Sequence, residues 1–505
     1  MGTSNGLLAA LLTASAAVVL APSCQLTSEP GVGGSGEPLT RGESLYAQHC
    51  AVCHGDRGRG DGLPAGVLLP PARDFSLGLF SLVSTDNGVP TDTDLETVLR
   101  RGVPGSSMPS FSWLGRDDIL ALVDQVRVLT LAEMTTRVAE EAVSAETEEA
   151  IKREAASWFT PGRPVPQPRD VTPSPAVIER GKSIYLSKCA ACHGEQGTGR
   201  RPIVNWVGRR TVNWARDFTL GIMKGDASHG ALANRIQAGM PGAAMPPSSF
   251  ADPGELEALV SYLDSLIPDG AADLLVQKME TIRVSRLEAR SGLRLDDPRW
   301  DDVEEVPIVL SPLRWRDDSI VRAQVRVAQD GEAIFFKVSW QDATRDEPGL
   351  GELGPSDRVA LQFTDEAEAS FFAMGSATNP VNIWYWHPQP ARLTAGVLDL
   401  VSPPHGTLTD ISPVVAIPVR AQSLVARGPD SASEFGSQNN PVQVAARWRG
   451  GRWDVMFRRA LEPDGEGLRF AASSDIRVAV SIWDGALSES PSDKSFSIWH
   501  TLDLR

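Results

Sequence analysis

Cysteine is scarce in this chain, with five among 505 residues and none after Cys192. The 313 residues that follow therefore cannot form a disulfide or hold an iron–sulfur cluster on cysteine thiolates. Basic residues are fewer than acidic ones, 48 against 64, and the net charge of −16 argues against nucleic acid as a partner. The sequence shows no Ser/His/Asp arrangement, zinc-ligand spacing or phosphate-binding glycine loop, so we predict no enzyme active site.

Four of the five cysteines belong to two copies of a C-x-x-C-H motif. The motif residues are Cys50, Cys53 and His54 in one copy and Cys189, Cys192 and His193 in the other. Two thiols at this spacing can each form a thioether with one vinyl group of a porphyrin, and the adjacent histidine can ligate its iron. The motifs therefore predict two covalently bound c-type haems, with the two histidines as axial ligands.

The sequence around the two motifs is also repeated. The corresponding segments are 41–46 and 180–185, 72–78 and 215–221, and 102–109 and 239–246. The offset between matched residues stays between 137 and 143 across these segments. Such a nearly constant offset indicates a duplicated domain, and we call the two copies the first and second repeats.

A methionine stands at the same place in the third repeated segment of each repeat. Met108 and Met245 lie in loops rich in glycine and proline, and each is followed by proline. A methionine thioether opposite histidine completes a six-coordinate haem iron and raises its reduction potential. Met240 is the rival in the second repeat, but its counterpart in the first is Val103, which cannot ligate iron. We therefore predict Met108 and Met245 as the second axial ligands.

The order of helix, haem motif, methionine loop and amphipathic helix resembles class I cytochrome c domains. The last helix is indicated by apolar residues at helical spacing in 119–126 and in 256–263. The resemblance covers about residues 40–130 and 176–268, and it implies two all-α domains.

The N-terminus predicts export. The apolar run over residues 7–20 is too short to span a bilayer and is typical of the core of a signal peptide. Cys24 resembles the lipid-modified cysteine of bacterial lipoproteins; a soluble periplasmic protein cleaved nearby is the alternative. Covalent haem attachment takes place outside the bacterial cytoplasm. We therefore expect the protein in the periplasm or on the extracytoplasmic face of the membrane, held there by a lipid anchor.

Beyond residue 295 the pattern becomes that of short strands. Segments 323–327 and 334–340 flank Gln329-Asp330-Gly331, which predicts a hairpin. Further β runs between Gly, Pro and Asp turns predict an antiparallel all-β sandwich. The predicted segments are a signal peptide (1–24), a flexible tether (25–38), cytochrome c domain 1 (39–132), a helical and Pro-rich linker (133–175), cytochrome c domain 2 (176–270), a second linker (271–294) and the sandwich (295–505).

Four motifs of the predicted sandwich occupy residues 297–300, 371–375, 381–386 and 494–500. Together they resemble the haem-b-binding domain of ethylbenzene dehydrogenase-type enzymes, the gamma subunit of a group of molybdenum enzymes in the dimethyl sulfoxide reductase superfamily. In that family a methionine and a lysine ligate a non-covalent haem b. The matching positions here are Met374 and Lys494.

The residues alone leave other ligands for that haem possible. Lysine ligates iron only as a neutral amine, so Lys494 would have to be buried with a lowered pKa. Without the resemblance, Lys494 is typical of a solvated edge-strand lysine and Met374 of a core residue. His387 and Met456 are the alternative iron ligands.

The resemblances imply an electron-transfer protein rather than an enzyme, with two haem c and one haem b. Its expected partners are a molybdenum and iron–sulfur oxidoreductase complex and another periplasmic carrier. In one alternative the sandwich holds no haem and binds carbohydrate or another ligand on Trp384, Trp386 and Trp448. In another the chain is a dihaem peroxidase, which the two methionine loops disfavour because both irons would be closed.

Overall fold

Helices fill the first half of the described chain and strands fill the second half. The protein is represented by a computed structural model, and residues Leu39–Arg505 form one compact unit. The described residues are 38–141, 147–169, 173–199, 202–205, 211–288, 293–347, 355–366, 369–372, 374–388, 419–428, 431–434, 442–463, 468–472, 474–489 and 493–505. The predicted signal peptide, Cys24 and all of the predicted tether except Pro38 lie outside them.

The first repeat consists of five helices and two short 3₁₀ turns. They are α1 (Arg41–His49), α2 (Ala51–His54), the turns Leu63–Gly66 and Phe75–Leu77, α3 (Asp92–Arg101), α4 (Arg116–Glu141) and α5 (Glu148–Trp158). Thr40 starts α1 with a capping box to Glu43, which satisfies backbone donors at the helix N-terminus. Helix α5 packs against α4, so part of the predicted linker 133–175 belongs to the fold of the first repeat.

The second repeat has helices equivalent to α1–α4 of the first repeat and differs in the segment that follows its haem motif. Its elements are α6 (Pro175–Lys188), α7 (Ala190–His193), strands β1 (Pro202–Asn205) and β2 (Thr211–Trp214), the 3₁₀ turn Phe218–Leu220, α8 (His229–Gln237) and α9 (Pro253–Leu266). The antiparallel pair β1–β2 departs from the all-α prediction. The offset between repeats rises from 139 to 143 across this segment, so four extra residues accommodate the hairpin.

A glycine allows the first and last helices of each repeat to cross closely. A Cβ at Gly42 of α1 would lie 2.5 Å from the Ala121 carbonyl oxygen of α4. A Cβ at Gly181 of α6 would overlap the Ala258 carbonyl oxygen of α9. No larger residue fits either crossing without moving backbone. None of the helices in the described part of the chain combines the length and apolar character that crossing a bilayer requires.

The second half forms a β domain around one continuous curled sheet. Its strands are β3 (Thr281–Arg286), β4 (Val306–Val309), β5 (Ser311–Pro312), β6 (Arg322–Gln329), β7 (Ala333–Gln341), β8 (Arg358–Thr364), β9 (Val381–Trp386), β10 (Val419–Arg420), β11 (Gln422–Ala426), β12 (Ser433–Glu434), β13 (Gln443–Trp448), β14 (Arg452–Ala460), β15 (Arg477–Trp483), β16 (Ser495–Phe496) and β17 (His500–Asp503). The main path runs β10-β13-β14-β7-β6-β3-β17-β15-β8-β9-β11-β12.

Strand β3 joins the two halves of this sheet, in the region for which a sandwich was predicted. It pairs in parallel with β17 on one side and with β6 on the other. Residues 271–294 were predicted as a linker, but β3 lies within them. Ile282 and Val284 are buried and alternate with exposed neighbours, which is the period of a half-buried strand.

Turns and burial within the sheet agree with the predicted hairpin and disfavour an aromatic binding platform that includes Trp384 and Trp386. Strands β6 and β7 pair antiparallel across the predicted Asp330-Gly331 turn, with Gly331 at φ +88°. Trp384 is fully buried and Trp386 is 6% exposed, so neither can stack on an external sugar. Both belong to the apolar core enclosed by the sheet.

A second apolar cluster runs from the first repeat into the β domain. It contains Phe111 and Ile119 of the first repeat together with Leu313, Phe496 and Trp499 of the β domain. The first repeat and the β domain therefore share one core, which fixes the orientation of one relative to the other.

Four aspartates crowd together in loops and strand ends of the β domain. Carboxylate oxygens of Asp342, Asp346, Asp357 and Asp484 all lie within 4.8 Å of one another. Burial and the neighbouring Asp357 carboxylate raise the pKa of Asp342 well above its ordinary value. The folded state therefore holds protons here more tightly than the unfolded chain does.

Stability should consequently fall as pH rises from about 4, the ordinary aspartate pKa, toward neutrality. We expect Asp342→Asn to flatten this dependence, by about 1.4 kcal/mol for each pKa unit removed. Urea unfolding between pH 4 and pH 8 measures the effect, and exposed Asp302→Asn is the control. Equal pH profiles for the two variants would contradict the assignment.

Candidate haem sites

The C-x-x-C-H motif of the first repeat lies on the short helix α2, directly after the turn at Cys50. The Nδ1 atom of His54 lies 3.0 Å from the Arg73 carbonyl oxygen. A ring that donates there keeps Nε2 free to ligate a metal. The Phe75 ring stacks on the imidazole at 4.7 Å between centroids. Burial lowers the pKa of His54, which favours the neutral imidazole that ligation needs.

The second repeat reproduces this arrangement. The Nδ1 atom of His193 lies 3.4 Å from the Arg216 carbonyl oxygen, and the Phe218 ring stacks on the imidazole at 4.8 Å. Burial lowers the pKa of His193 as well. In both repeats the arginine and phenylalanine come from the same Ala-Arg-Asp-Phe segment, so one local sequence orients each histidine.

The two methionine loops are closed by equivalent backbone hydrogen bonds. The Val103 N–H donates to the Met108 carbonyl at 3.0 Å, and the Met240 N–H donates to the Met245 carbonyl at 2.9 Å. Met240 therefore takes the place of Val103, and Met245 takes the place of Met108. Gly102 precedes the first loop at φ +70°, a conformation that favours glycine.

A cavity in the first repeat brings the predicted residues together. Its lining includes Cys50, Cys53, His54 and Met108. Apolar side chains from α3, from α4 and from the segment after the methionine loop form part of the wall, among them Leu95, Leu99, Phe111 and Val126. Two thiols, an imidazole and a thioether around an apolar cavity match the donor set of a covalently attached haem.

In the second repeat two of the corresponding residues contact that repeat's own core. Cys189 and Met245 both pack against the apolar cluster that contains Tyr185 and Leu259. Cys192 is exposed. The Tyr185 hydroxyl donates to the Gly194 carbonyl at 2.7 Å, as an equivalent tyrosine does in the first repeat.

Two arginines, to which the sequence motifs gave no predicted role, link the two repeats reciprocally. The Arg73 guanidinium donates to the Gly242 carbonyl in the second methionine loop at 3.0 Å. The Arg216 guanidinium donates to the Gly105 carbonyl in the first methionine loop at 2.6 Å. Burial lowers the pKa of both arginines, to about 10 for Arg216. Their repeated sequence context was the available signal, but their partners could not be inferred from it.

Met374 and Lys494 of the β domain lie in one region of the structure. Met374 packs against the cluster shared with the first repeat, at the unusual φ of +57°. The Lys494 ammonium is 5.9 Å from the Trp483 ring centroid, and that ring belongs to the same cluster. Burial lowers the pKa of Lys494 to about 8. The lysine therefore has the environment that amine ligation requires.

The two alternative ligands for haem b, Met456 and His387, lie in different parts of the β domain. Met456 packs in a separate cluster with Trp300 and Phe335. The His387 ring is 5.6 Å from the Tyr385 ring, which in turn contacts Trp483. His387 is thus on the same side of the β domain as Lys494. Met456 belongs to a different apolar cluster from Met374.

The first methionine loop touches the strand region that carries Lys494. The Ser107 hydroxyl donates to the Leu313 carbonyl at 2.9 Å, and the Leu313 N–H donates to the Lys494 carbonyl at 2.9 Å. Leu313 is 3% exposed. One buried residue therefore separates the loop of Met108 from Lys494.

Comparison with known families identifies the nature of the helical half. Residues 37–124 match the family described as cytochrome c oxidase, cbb3-type, subunit III, and residues 178–266 match the cytochrome c family. The N-terminal half therefore contains cytochrome c domains, as the resemblance predicted.

Individual known proteins are similar to parts of the chain. A Haloferax mediterranei protein, named provisionally as a heme subunit of respiratory nitrate reductase, is 28% identical over 229 residues, 43% of this chain and 72% of that protein. The gamma subunit of dimethylsulfide dehydrogenase from Rhodovulum sulfidophilum is 28% identical over 233 residues, 42% of this chain and 76% of that subunit. A solved structure of the reducing HAO-like protein complex of Kuenenia stuttgartiensis is 27% identical, covers 46% of this chain and 98% of its own, and has a TM-score of 0.38.

The two named relatives are subunits of oxidoreductases. The cytochrome c domains and these relatives agree with the prediction that the chain transfers electrons and is not itself an enzyme.

The contact between Arg216 and the first methionine loop gives a test of this arrangement. A Cβ at Gly105, which has φ +74°, would overlap the Arg216 guanidinium. We expect Gly105→Ala to lower the free energy of unfolding by about 1–3 kcal/mol. Gly270→Ala is the control, because Gly270 has a similar φ of +70° and nothing lies within 4 Å of its added Cβ. Thermal unfolding of both variants measures the difference; equal stability would show that the contact is not formed.

Proposed function

We propose that the protein is an extracytoplasmic electron-transfer protein with two covalent c-type haems in tandem domains and one non-covalent haem b in the β domain. The observation that carries the proposal is the cavity that brings the Cys50, Cys53, His54 and Met108 side chains together. The corresponding backbone geometry in the second repeat supports a second site of the same kind.

In this proposal each repeat holds one haem through one set of residues. Cys50 and Cys53 attach the first haem, and Cys189 and Cys192 attach the second. His54 and Met108 ligate the first iron; His193 and Met245 ligate the second. Bound haem supplies reversible one-electron chemistry at iron. The stacked phenylalanines and the carbonyls of Arg73 and Arg216 fix the imidazoles, so little reorganisation accompanies a change of charge.

The β domain would hold haem b between Met374 and Lys494. Burial of Lys494 lowers the cost of losing its proton, and coordination would complete that loss. The burial of Trp384 and Trp386 removes the main support for a carbohydrate-binding alternative.

Contacts between the sites support a linear order of haems. Ser107 and Leu313 connect the first methionine loop to Lys494, which supports a haem b site next to the first haem c site. The contacts of Arg73 and Arg216 with the opposite methionine loops support neighbouring c-type sites. Electrons would therefore pass between haem b and the second haem c by way of the first.

The partners of the chain follow from its relatives. Similarity to subunits of nitrate reductase and dimethylsulfide dehydrogenase supports docking on an oxidoreductase complex with molybdenum and iron–sulfur centres. The second haem c would exchange electrons with another periplasmic carrier. Covalent haem attachment requires export, and lipid attachment at Cys24 would hold the protein at the extracytoplasmic membrane face.

Haem extraction tests the proposed cofactors. Acidified acetone removes non-covalent haem and leaves thioether-linked haem on the chain. We expect one extractable and two covalent haems per chain, with Lys494→Ala losing the extractable haem and keeping both covalent ones. The control Lys278→Ala changes an exposed lysine and should keep all three. Wild-type protein without extractable haem would refute haem b, and an unaltered b-type spectrum in Lys494→Ala would favour His387 as the ligand.

The two methionines of the second loop can be distinguished directly. Met245→Ala should lower the potential of the second haem by more than about 59 mV, a tenfold change in its reduction equilibrium, and should open the iron to carbon monoxide. Met240→Val introduces the residue of the first repeat and should leave both properties unchanged. Redox titration and carbon monoxide binding measure the outcome, and the reverse pattern would make Met240 the ligand.

A further inference from the structure

The interface between the two repeats is not symmetric. Ser81 and Lys224 occupy equivalent positions, each six residues after the phenylalanine of an Ala-Arg-Asp-Phe segment. The Ser81 hydroxyl contacts the Pro241 carbonyl at 3.3 Å and accepts a hydrogen bond from the Arg73 guanidinium. Lys224 instead lines the cavity of the first repeat, together with Gly242 and Ala243 of the second methionine loop. The second repeat therefore supplies part of the first repeat's cavity wall.

The charged groups that act most strongly on Lys224 are themselves positive. Burial and the nearby Arg216 and Arg73 guanidinium groups lower the pKa of Lys224 to about 7. Within the described ranges, no residue forms a hydrogen bond or ion pair with its ammonium group. The Lys224 side chain is partly buried and lines the cavity, so an anion bound in the cavity would pair with the ammonium group and stabilise its charged form.

The same cavity is lined by Cys50, Cys53, His54 and Met108. The haem that these residues would hold carries two propionate carboxylates on its porphyrin edge. We propose that Lys224 of the second repeat binds a propionate carboxylate of the haem held in the first repeat. This inference rests on the proposed function, because it requires haem at the first site.

The consequence is a difference between the two c-type haems. Reduction removes one positive charge from the haem iron, so a fixed cation nearby favours the reduced form and raises the potential. Ser81, at the equivalent place in the first repeat, carries no charge toward the second site. Lys224 therefore raises the potential of the first haem relative to the second, and the first site is complete only when the second repeat is docked.

The test compares three lysine variants of the full chain. We expect Lys224→Met to lower the equilibrium constant for reduction of the first haem about tenfold, ~59 mV for one electron, and to leave the second haem unchanged. Lys224→Arg should leave the equilibrium constant for reduction of the first haem at its wild-type value, because arginine keeps the positive charge. Lys182→Met, at an exposed lysine of α6, is the matched control. Titration in a Met245→Ala background assigns the shift, because the second haem then titrates separately.

The outcomes separate this inference from the proposed function. Absence of haem-linked mass on the Cys50–Cys53 peptide of wild-type protein would refute the function itself. Two covalent haems with normal His/Met spectra and unchanged potentials in Lys224→Met would overturn only the role of Lys224, as would a shift confined to the second haem. If Lys224→Met does not fold, Lys224→Gln, which keeps a polar side chain of similar length, provides the same comparison.

Discussion

Arg73 and Arg216, which are equivalent residues of the two repeats, connect the two candidate haem sites. Arg73 and Arg216 each present a backbone carbonyl to the histidine of their own repeat and a guanidinium to the methionine loop of the other. The orientation of each imidazole is therefore tied to the position of the opposite loop. Because both guanidinium groups are buried, breaking either contact would leave a charged donor unsatisfied inside the protein. The two repeats behave as one mechanical unit for this reason.

The sequence predicted the parts of the sites that depend on near neighbours in the chain. The C-x-x-C-H motif folds within one helical turn, and the methionine loops form through bonds over five residues, as between Val103 and Met108. The docking of the repeats was not predictable in this way. The partners of Arg73 and Arg216 lie 169 and 111 residues away, and nothing in a local pattern identifies them. Lys224 was missed because its importance comes from the cavity it reaches.

The same distinction explains the β domain. The β6–β7 hairpin closes locally and was predicted from its Asp-Gly turn. Strand β3 was assigned to a linker because its partners are distant in sequence: Thr281 pairs with Thr501, and Val284 pairs with Val327. Parallel pairing of this kind turns two expected sheets into one curled sheet. The buried tryptophans of β9 show that aromatic richness here serves the core, which composition alone did not reveal.

The first repeat occupies the central position among the three parts of the molecule. It shares an apolar core with the β domain, and its methionine loop contacts Leu313 on one side and Arg216 on the other. A duplication begins with two equivalent sites, but only the first methionine loop can receive both contacts at once. Lys224, at the position that Ser81 holds in the first repeat, lines the cavity of this central site from the other repeat. In the proposed arrangement, charge at the interface would set the potential of the central haem without any change in the ligands of either iron.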